Sequence, residues 1–115
     1  IDAFFSSYRP VPSLLHGDLW GGNWGADEDG LPVIFDPAVY YGDREADIAM
    51  TRLFGGFGHA FYTTYQSTWP LDQAAGARST LYNLYHVLNH ANLFGGGYIQ
   101  QAKDLIGRLL ASTTG

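Results

Sequence analysis

The chain has 115 residues, 46% of them hydrophobic and 15% charged, with a formal net charge of −5 from six Lys and Arg against eleven Asp and Glu. This is the composition of one ordered domain or part of one; it excludes a disordered segment, and it excludes a phosphate-backbone binder, which needs a basic face. Cysteine is absent, so disulfide frameworks and thiolate metal sites are excluded, and no run approaches the ~18 apolar residues of a membrane helix.

The first thirteen residues, IDAFFSSYRPVPS, read as a helix end followed by an extended linker, because Pro10 and Pro12 push their neighbours out of helical conformation. Leu14 and Leu15 lead into His16-Gly17-Asp18-Leu19-Trp20-Gly21-Gly22-Asn23, where three glycines in eight residues predict a loop. Trp24 and Gly25 start a short extended piece, Asp27-Glu28-Asp29-Gly30 is a solvated turn, and Leu31 to Phe35 is a β-rich run. Residues 23–35 therefore predict a β-hairpin whose second strand delivers Asp36 at its end.

Beyond Asp36-Pro37-Ala38 the pattern turns helical. Ala46, Ala49, Met50, Leu53 and Phe54 fall at helical spacing from Arg44, with Asp43 as N-cap and Gly55 as the stop. Further helices are predicted over about 58–68, 72–94 and 98–110. The third is expected to bury Leu81, Leu84, Tyr85 and Leu88, and the fourth Ile99, Ala102, Ile106, Leu109 and Leu110. Phe54, Phe57, Phe61, Tyr62 and Tyr65 have the spacing of a core. His86 and His90 are four apart on one helix but lack a third ligand, and read as packed or solvated histidines rather than a zinc site. The expected fold is α+β and mainly helical, in the order linker (1–13), loop, hairpin and DPA segment (14–40), and helical block (41–115).

Three polar residues stand out together. Asp18 and Asn23 lie five apart in one glycine-rich loop, and the hairpin brings Asp36 beside Asn23. Two oxygen ligands flanking one point suit a hard cation such as Mg²⁺, whose other ligands are water and substrate phosphate. Asp18, just upstream, is placed to accept a proton from an attacking hydroxyl. Metal ligands for charge and a carboxylate for the nucleophile are what phosphoryl transfer requires.

The string His-Gly-Asp-Leu-Trp-Gly-Gly-Asn at 16–23 resembles the H-x-D-x-x-x-x-N catalytic loop of protein-kinase-like folds, in the HGD form of the aminoglycoside-phosphotransferase-like kinases. LLHGDLWGGN (14–23), FDPAVYYGDREADIAMTRLFGGF (35–57) and LYNLYHVLNHANLFGGGY (81–98) are together similar to the fructosamine kinases, or ketosamine-3-kinases. The resemblance implies a C-terminal lobe of a protein-kinase-like fold. Carried over by position, it makes Asp18 the catalytic base and Asn23 and Asp36 the Mg²⁺ ligands. It makes His16 and Asp47 supports of the loop, and Trp20 a residue that packs on the sugar or on the loop. The family pattern has His after Tyr-Gly, where this chain carries Asp43.

The same resemblance implies ATP and Mg²⁺ as cofactors, and a ketosamine small molecule or glycated protein as substrate. A kinase of this type also needs an N-terminal lobe with a phosphate-covering loop and a strand lysine. Only fifteen residues precede His16 and the single lysine is Lys103, so that lobe is expected to be supplied by sequence outside this chain, which alone should not turn over. The alternatives are a related kinase acting on an aminoglycoside, choline or another sugar hydroxyl, and a non-catalytic helical module. The acidic balance and lack of a targeting pattern lead to the expectation of a cytoplasmic protein without nucleic-acid or membrane partners.

Overall fold

A computed structural model describes residues 2–114 of the chain. The chain forms two compact units, one comprising Pro10–Asp72 and the other the residues up to Arg9 together with those from Gln73 onward.

The 10–72 unit is built on two antiparallel strand pairs, one nested inside the other. The outer pair joins β1 (Pro12–Leu15) to β4 (Tyr40–Asp43), with Pro12 opposite Asp43 and Leu15 opposite Tyr40. The inner pair joins β2 (Trp24–Ala26) to β3 (Pro32–Ile34), with Trp24 opposite Ile34. The inner pair is the predicted hairpin. Its turn closes on Asp27, whose Oδ1 accepts from the Asp29 and Leu31 N–H groups at 2.9 Å each. The outer pair departs from expectation: β1 straddles the end of the predicted linker and the start of the predicted loop, and β4 runs into the start of the predicted helical block. Pro12 is accommodated because it opens β1 at the edge of a two-stranded ladder, where its missing N–H costs least.

Helix α1 (Arg44–Leu53) starts directly after β4. Asp43 caps it by accepting from Glu45 N–H at 3.0 Å, as the sequence predicts. Ala46, Ile48, Ala49 and Met50 are buried beside Leu15 and Leu19, and form the core of this unit. Phe54, expected on the same face, is exposed. Gly55 and Gly56 stop the helix at φ +71° and +97°, values that favour glycine. Helix α2 (His59–Thr68) matches its predicted bounds but buries none of its residues. Of the aromatics expected as core, Phe57, Phe61 and Tyr65 instead line an open apolar cleft of about 670 Å³, formed with Trp24 and β3. Phe57 and Phe61 pack there at a tilt, with ring centroids 4.8 Å apart. Arg44 ties the far end of α2 down: it donates to the Trp69 and Pro70 carbonyls at 2.7 Å each and lies 3.8 Å from the Trp69 ring centroid.

The second unit pairs α3 (Ala75–Phe94) with α4 (Gly97–Thr114), joined by Gly95 and Gly96 at positive φ. Helix α3 begins three residues later than predicted and α4 runs past Leu110. The buried faces differ from expectation as well. Val87, Asn83, Arg78 and Ala75 are inside on α3 while Tyr85 and Leu88 are exposed. On α4 the inside positions are Ala102, Leu105 and Leu109, and Ile99, Ile106 and Leu110 are exposed. Arg78, 1% exposed, donates to the Phe4 carbonyl and lies 3.8 Å from the Tyr8 ring centroid. His90 packs between the Phe94 and Tyr98 rings and bonds through Nδ1 to the His86 carbonyl, the packed reading of that pair. Among the described residues, no helix is long and apolar enough to cross a membrane.

Candidate active site

The nested hairpins explain why three residues spread over nineteen positions can meet. The loop 16–23 leaves the end of β1 and enters β2, while the segment 35–39 leaves β3 and enters β4. The two therefore run past each other between the outer and inner ladders. Backbone bonds stitch them at both ends: Ala38 N–H donates to the His16 carbonyl at 2.8 Å, and Phe35 N–H donates to the Asn23 carbonyl at 3.0 Å. Asp36 follows directly on that second bond.

His16 adds a side-chain bridge. Its Nδ1 accepts from Asp18 N–H at 3.2 Å, which places the ring proton on Nε2, and Nε2 donates to the Phe35 carbonyl at 2.7 Å. The ring thus links the residue before Asp36 to the backbone of Asp18. From below, the Asp47 carboxylate on the first turn of α1 accepts from His16 N–H (2.8 Å) and Gly17 N–H (3.0 Å). Gly17 has φ +85°, and a Cβ there would stand 2.1 Å from the Ala38 carbonyl oxygen. Only glycine lets the two segments approach this closely.

Asn23 is buried, at 6% exposure. Its Nδ2 donates to both the main-chain oxygen of Asp18 (2.9 Å) and Asp18 Oδ2 (3.0 Å). With the amide nitrogen committed to two acceptors, Oδ1 is the remaining polar atom, an oxygen of the kind a hard cation takes. Asp36 is exposed, has φ +51°, and its carboxylate makes no hydrogen bond or ion pair among the described residues. An exposed carboxylate without a protein partner has its oxygens available to a hard cation. No cluster of three His, Asp or Glu suited to a metal occurs among the described residues. Trp20 is half exposed at 42%, and its six-membered ring lies over Gly22, where a Cβ would come within 2.2 Å of the indole.

The structure brings Asp18, Asn23, Asp36, His16, Asp47 and Trp20 together in the 10–72 unit. Asp43 stands apart as the buried cap of α1, which gives that position a structural task. Three participants were not singled out from the sequence. They are the Phe35 carbonyl, Trp24, whose Nε1–H donates to the Gly56 carbonyl at 2.9 Å, and Gly56, on which a Cβ would stand 2.7 Å from Gly21 Cα. The only signal for them was the glycine run that begins at Gly55, the predicted helix stop.

A histidine-braced loop, an Asp–Asn pair across it and a second Asp at the end of a return strand form the candidate site of this fragment of a kinase-like fold. The chain belongs to the fructosamine kinase family, whose model matches residues 1–112. It is 57% identical over 102 residues to a Synechocystis protein assigned as a ketoamine kinase, covering 89% of this chain and 35% of that protein. It is 49% identical over 98 residues to the mouse ketosamine-3-kinase, covering 85% of this chain and 31% of the mouse protein. The crystal structure of a Thermobifida fusca protein assigned as a fructosamine-3-kinase superposes with a TM-score of 0.82 at 34% identity, over 96% of this chain and 38% of that one. The chain therefore spans roughly a third of the length of these relatives.

Proposed function

We propose that the whole protein carrying this chain is an ATP-dependent kinase that phosphorylates a sugar hydroxyl of ketosamines, free or on glycated proteins. The observation that carries the reading is the convergence of Asp18, Asn23 and Asp36 on a loop pair fixed by Asp47 and His16. In this mechanism Asp18 is the catalytic base. Its Oδ2 is occupied by Asn23, which fixes the carboxylate and leaves Oδ1 to receive the hydroxyl proton. The hydroxyl oxygen bonds to the γ-phosphorus of ATP as the bond to the β-phosphate oxygen breaks, ADP leaves, and the proton stays on Asp18.

Asn23 Oδ1 and Asp36 would hold Mg²⁺, which when bound would supply positive charge to the phosphoryl group being transferred. The local electrostatics favour such a cation. Nine of the eleven acidic residues lie within 10–72. The only lysine or arginine residues there are Arg44 and Arg52, each stacked on an aromatic ring. A nucleotide polyphosphate meets a negative field here unless a cation bridges the two. Trp20 offers the outer face of its indole to the sugar. The remaining nucleotide contacts come from the rest of the protein, the expected N-terminal lobe. Phosphorylation makes the sugar adduct prone to leave, so the biological task is deglycation repair in the cytoplasm.

The test incubates the whole protein with ATP, Mg²⁺ and fructosyl-lysine and follows the phosphorylated product. Asp18→Asn should lower kcat by about 10²- to 10⁴-fold while leaving the fold intact. Transfer to choline or an aminoglycoside with none to fructosyl-lysine would overturn the substrate assignment. Unchanged turnover in the Asp18→Asn variant would overturn the mechanism.

A further inference from the structure

Asn23 is fixed within its own loop, by its N–H to the Trp20 carbonyl at 2.9 Å and its Nδ2 to Asp18, and it is fixed to the segment after β3 by its bond from Phe35. None of these bonds reaches the helical part of the unit. That connection is made one residue later, where the Trp24 indole N–H donates to the Gly56 carbonyl at 2.9 Å and the ring lies 5.8 Å from Phe57. A second contact is made two residues before Asn23. Gly21 and Gly56 meet backbone to backbone, close enough that a Cβ on Gly56 would be 2.7 Å from Gly21 Cα. The segment 55–57 therefore grips the catalytic loop on both sides of Asn23, and Gly56 adopts φ +97° where it does so. Strand β2 has only three residues, too short a ladder to fix the loop by itself.

We propose that Trp24 and Gly56 form a positioning pair that holds Asn23 at the place where it takes the metal ion. This rests on the reading of Asn23 as a Mg²⁺ ligand. In this reading neither residue is a ligand of the substrate or the cation. They act through the backbone on either side of Asn23, and couple the geometry of the metal ligand to the link between α1 and α2.

Trp24→Phe removes the donor while keeping an aromatic ring in the cleft. Two readouts on the whole protein test the pair, with Thr64→Ala on exposed α2 as the control. In the first, amide exchange is followed by NMR without nucleotide or metal. The Trp24→Phe variant should exchange faster at the amides of Gly21 to Trp24 and of Phe35, with the amides of α1 unchanged. In the second, the Mg²⁺ concentration for half-maximal fructosyl-lysine phosphorylation should rise about three- to tenfold, the range one neutral hydrogen bond can transmit, with KM for the ketosamine within about twofold. Unchanged exchange at those amides, or faster exchange spread evenly through residues 10–72, would overturn the pair as a positioning device. If the wild-type protein transfers no phosphate to fructosyl-lysine, the functional reading fails, while the exchange comparison still decides whether Trp24 fixes Asn23. Gly56→Ala serves as a second variant and should produce the same local exchange pattern, more strongly, because Gly21 must shift.

Discussion

The carboxylate of Asp47 takes two main-chain N–H bonds at once, from His16 at 2.8 Å and from Gly17 at 3.0 Å, across about thirty residues of sequence. A carboxylate in the first turn of a helix already sits favourably in the field of the helix amides. Here it also satisfies two donors that the sharp loop cannot satisfy with carbonyls. Asp47→Ala is therefore expected to cost about 2–4 kcal/mol, from two lost bonds to a charged acceptor in a half-buried place. Asp47→Asn should cost less, since one oxygen remains to accept. Thermal unfolding of the two variants checks the order, and equal losses would count against the two-bond account.

Two glycines at similar backbone angles should respond very differently to the same change. Gly17 (φ +85°) would place a Cβ 2.1 Å from the Ala38 oxygen, whereas Gly30 (φ +79°) has open space around it. Gly30→Ala should cost about 1–2 kcal/mol, the backbone penalty alone. Gly17→Ala should exceed it by about 2 kcal/mol or more, because the loop and the segment after β3 must move apart. Urea unfolding midpoints measured side by side test this, and equal midpoints would show that the loop yields freely.

Asp36 holds φ +51° while its carboxylate faces solvent. Glycine adopts that angle without strain but carries more chain entropy into the unfolded state, so the two effects largely offset. Asp36→Gly is expected to leave stability within about 1 kcal/mol and to abolish Mg²⁺-dependent transfer. Calorimetry paired with the fructosyl-lysine assay separates the two effects. Retained transfer in this variant would remove Asp36 from the metal set.

Arg44 holds the end of α2 by a planar fork rather than by charge pairing. It donates to two carbonyls at 2.7 Å and stacks on Trp69. Lysine keeps the charge but loses both the fork and the stacking plane, so Arg44→Lys should cost about 1–3 kcal/mol. The loss should hardly change with added salt, because no carboxylate is involved. A loss that disappears at high salt would show an ion-pair origin instead.

The sequence made local chemistry legible and left long-range pairing dark. Asp43 as a cap, Gly55 as a stop and Asp27-Glu28-Asp29-Gly30 as a turn each act on neighbours within a few residues, and each stands where it was expected. The β1–β4 ladder joins Leu15 to Tyr40 across an intervening hairpin, and Pro12 within four residues of strand argued against it. Helix faces failed for a different reason. Helices α3 and α4 carry apolar residues on more than one side, so spacing alone does not choose between Leu88 and Val87, or between Ile106 and Leu105. Arg78 lay beyond any hydrophobic count, since its burial depends on the Tyr8 ring and the Phe4 carbonyl. At the site, Asp18, Asn23 and Asp36 were readable from residue type and spacing. The Trp24–Gly56 bond was not, because an indole N–H and a glycine carbonyl carry no pattern of their own.

The turn at Asp27–Gly30 caps the inner hairpin through Asp27's own bonds, at the end opposite Asn23 and Asp36. Extra residues added after Glu28 would lengthen an exposed loop, where each doubling costs only about 0.6 kcal/mol of closure entropy. The tip is thus a natural graft point. A fluorophore or affinity peptide inserted there would report on the hairpin flanked by Asn23 and Asp36, the proposed metal ligands, without passing through the loop that holds Asp18.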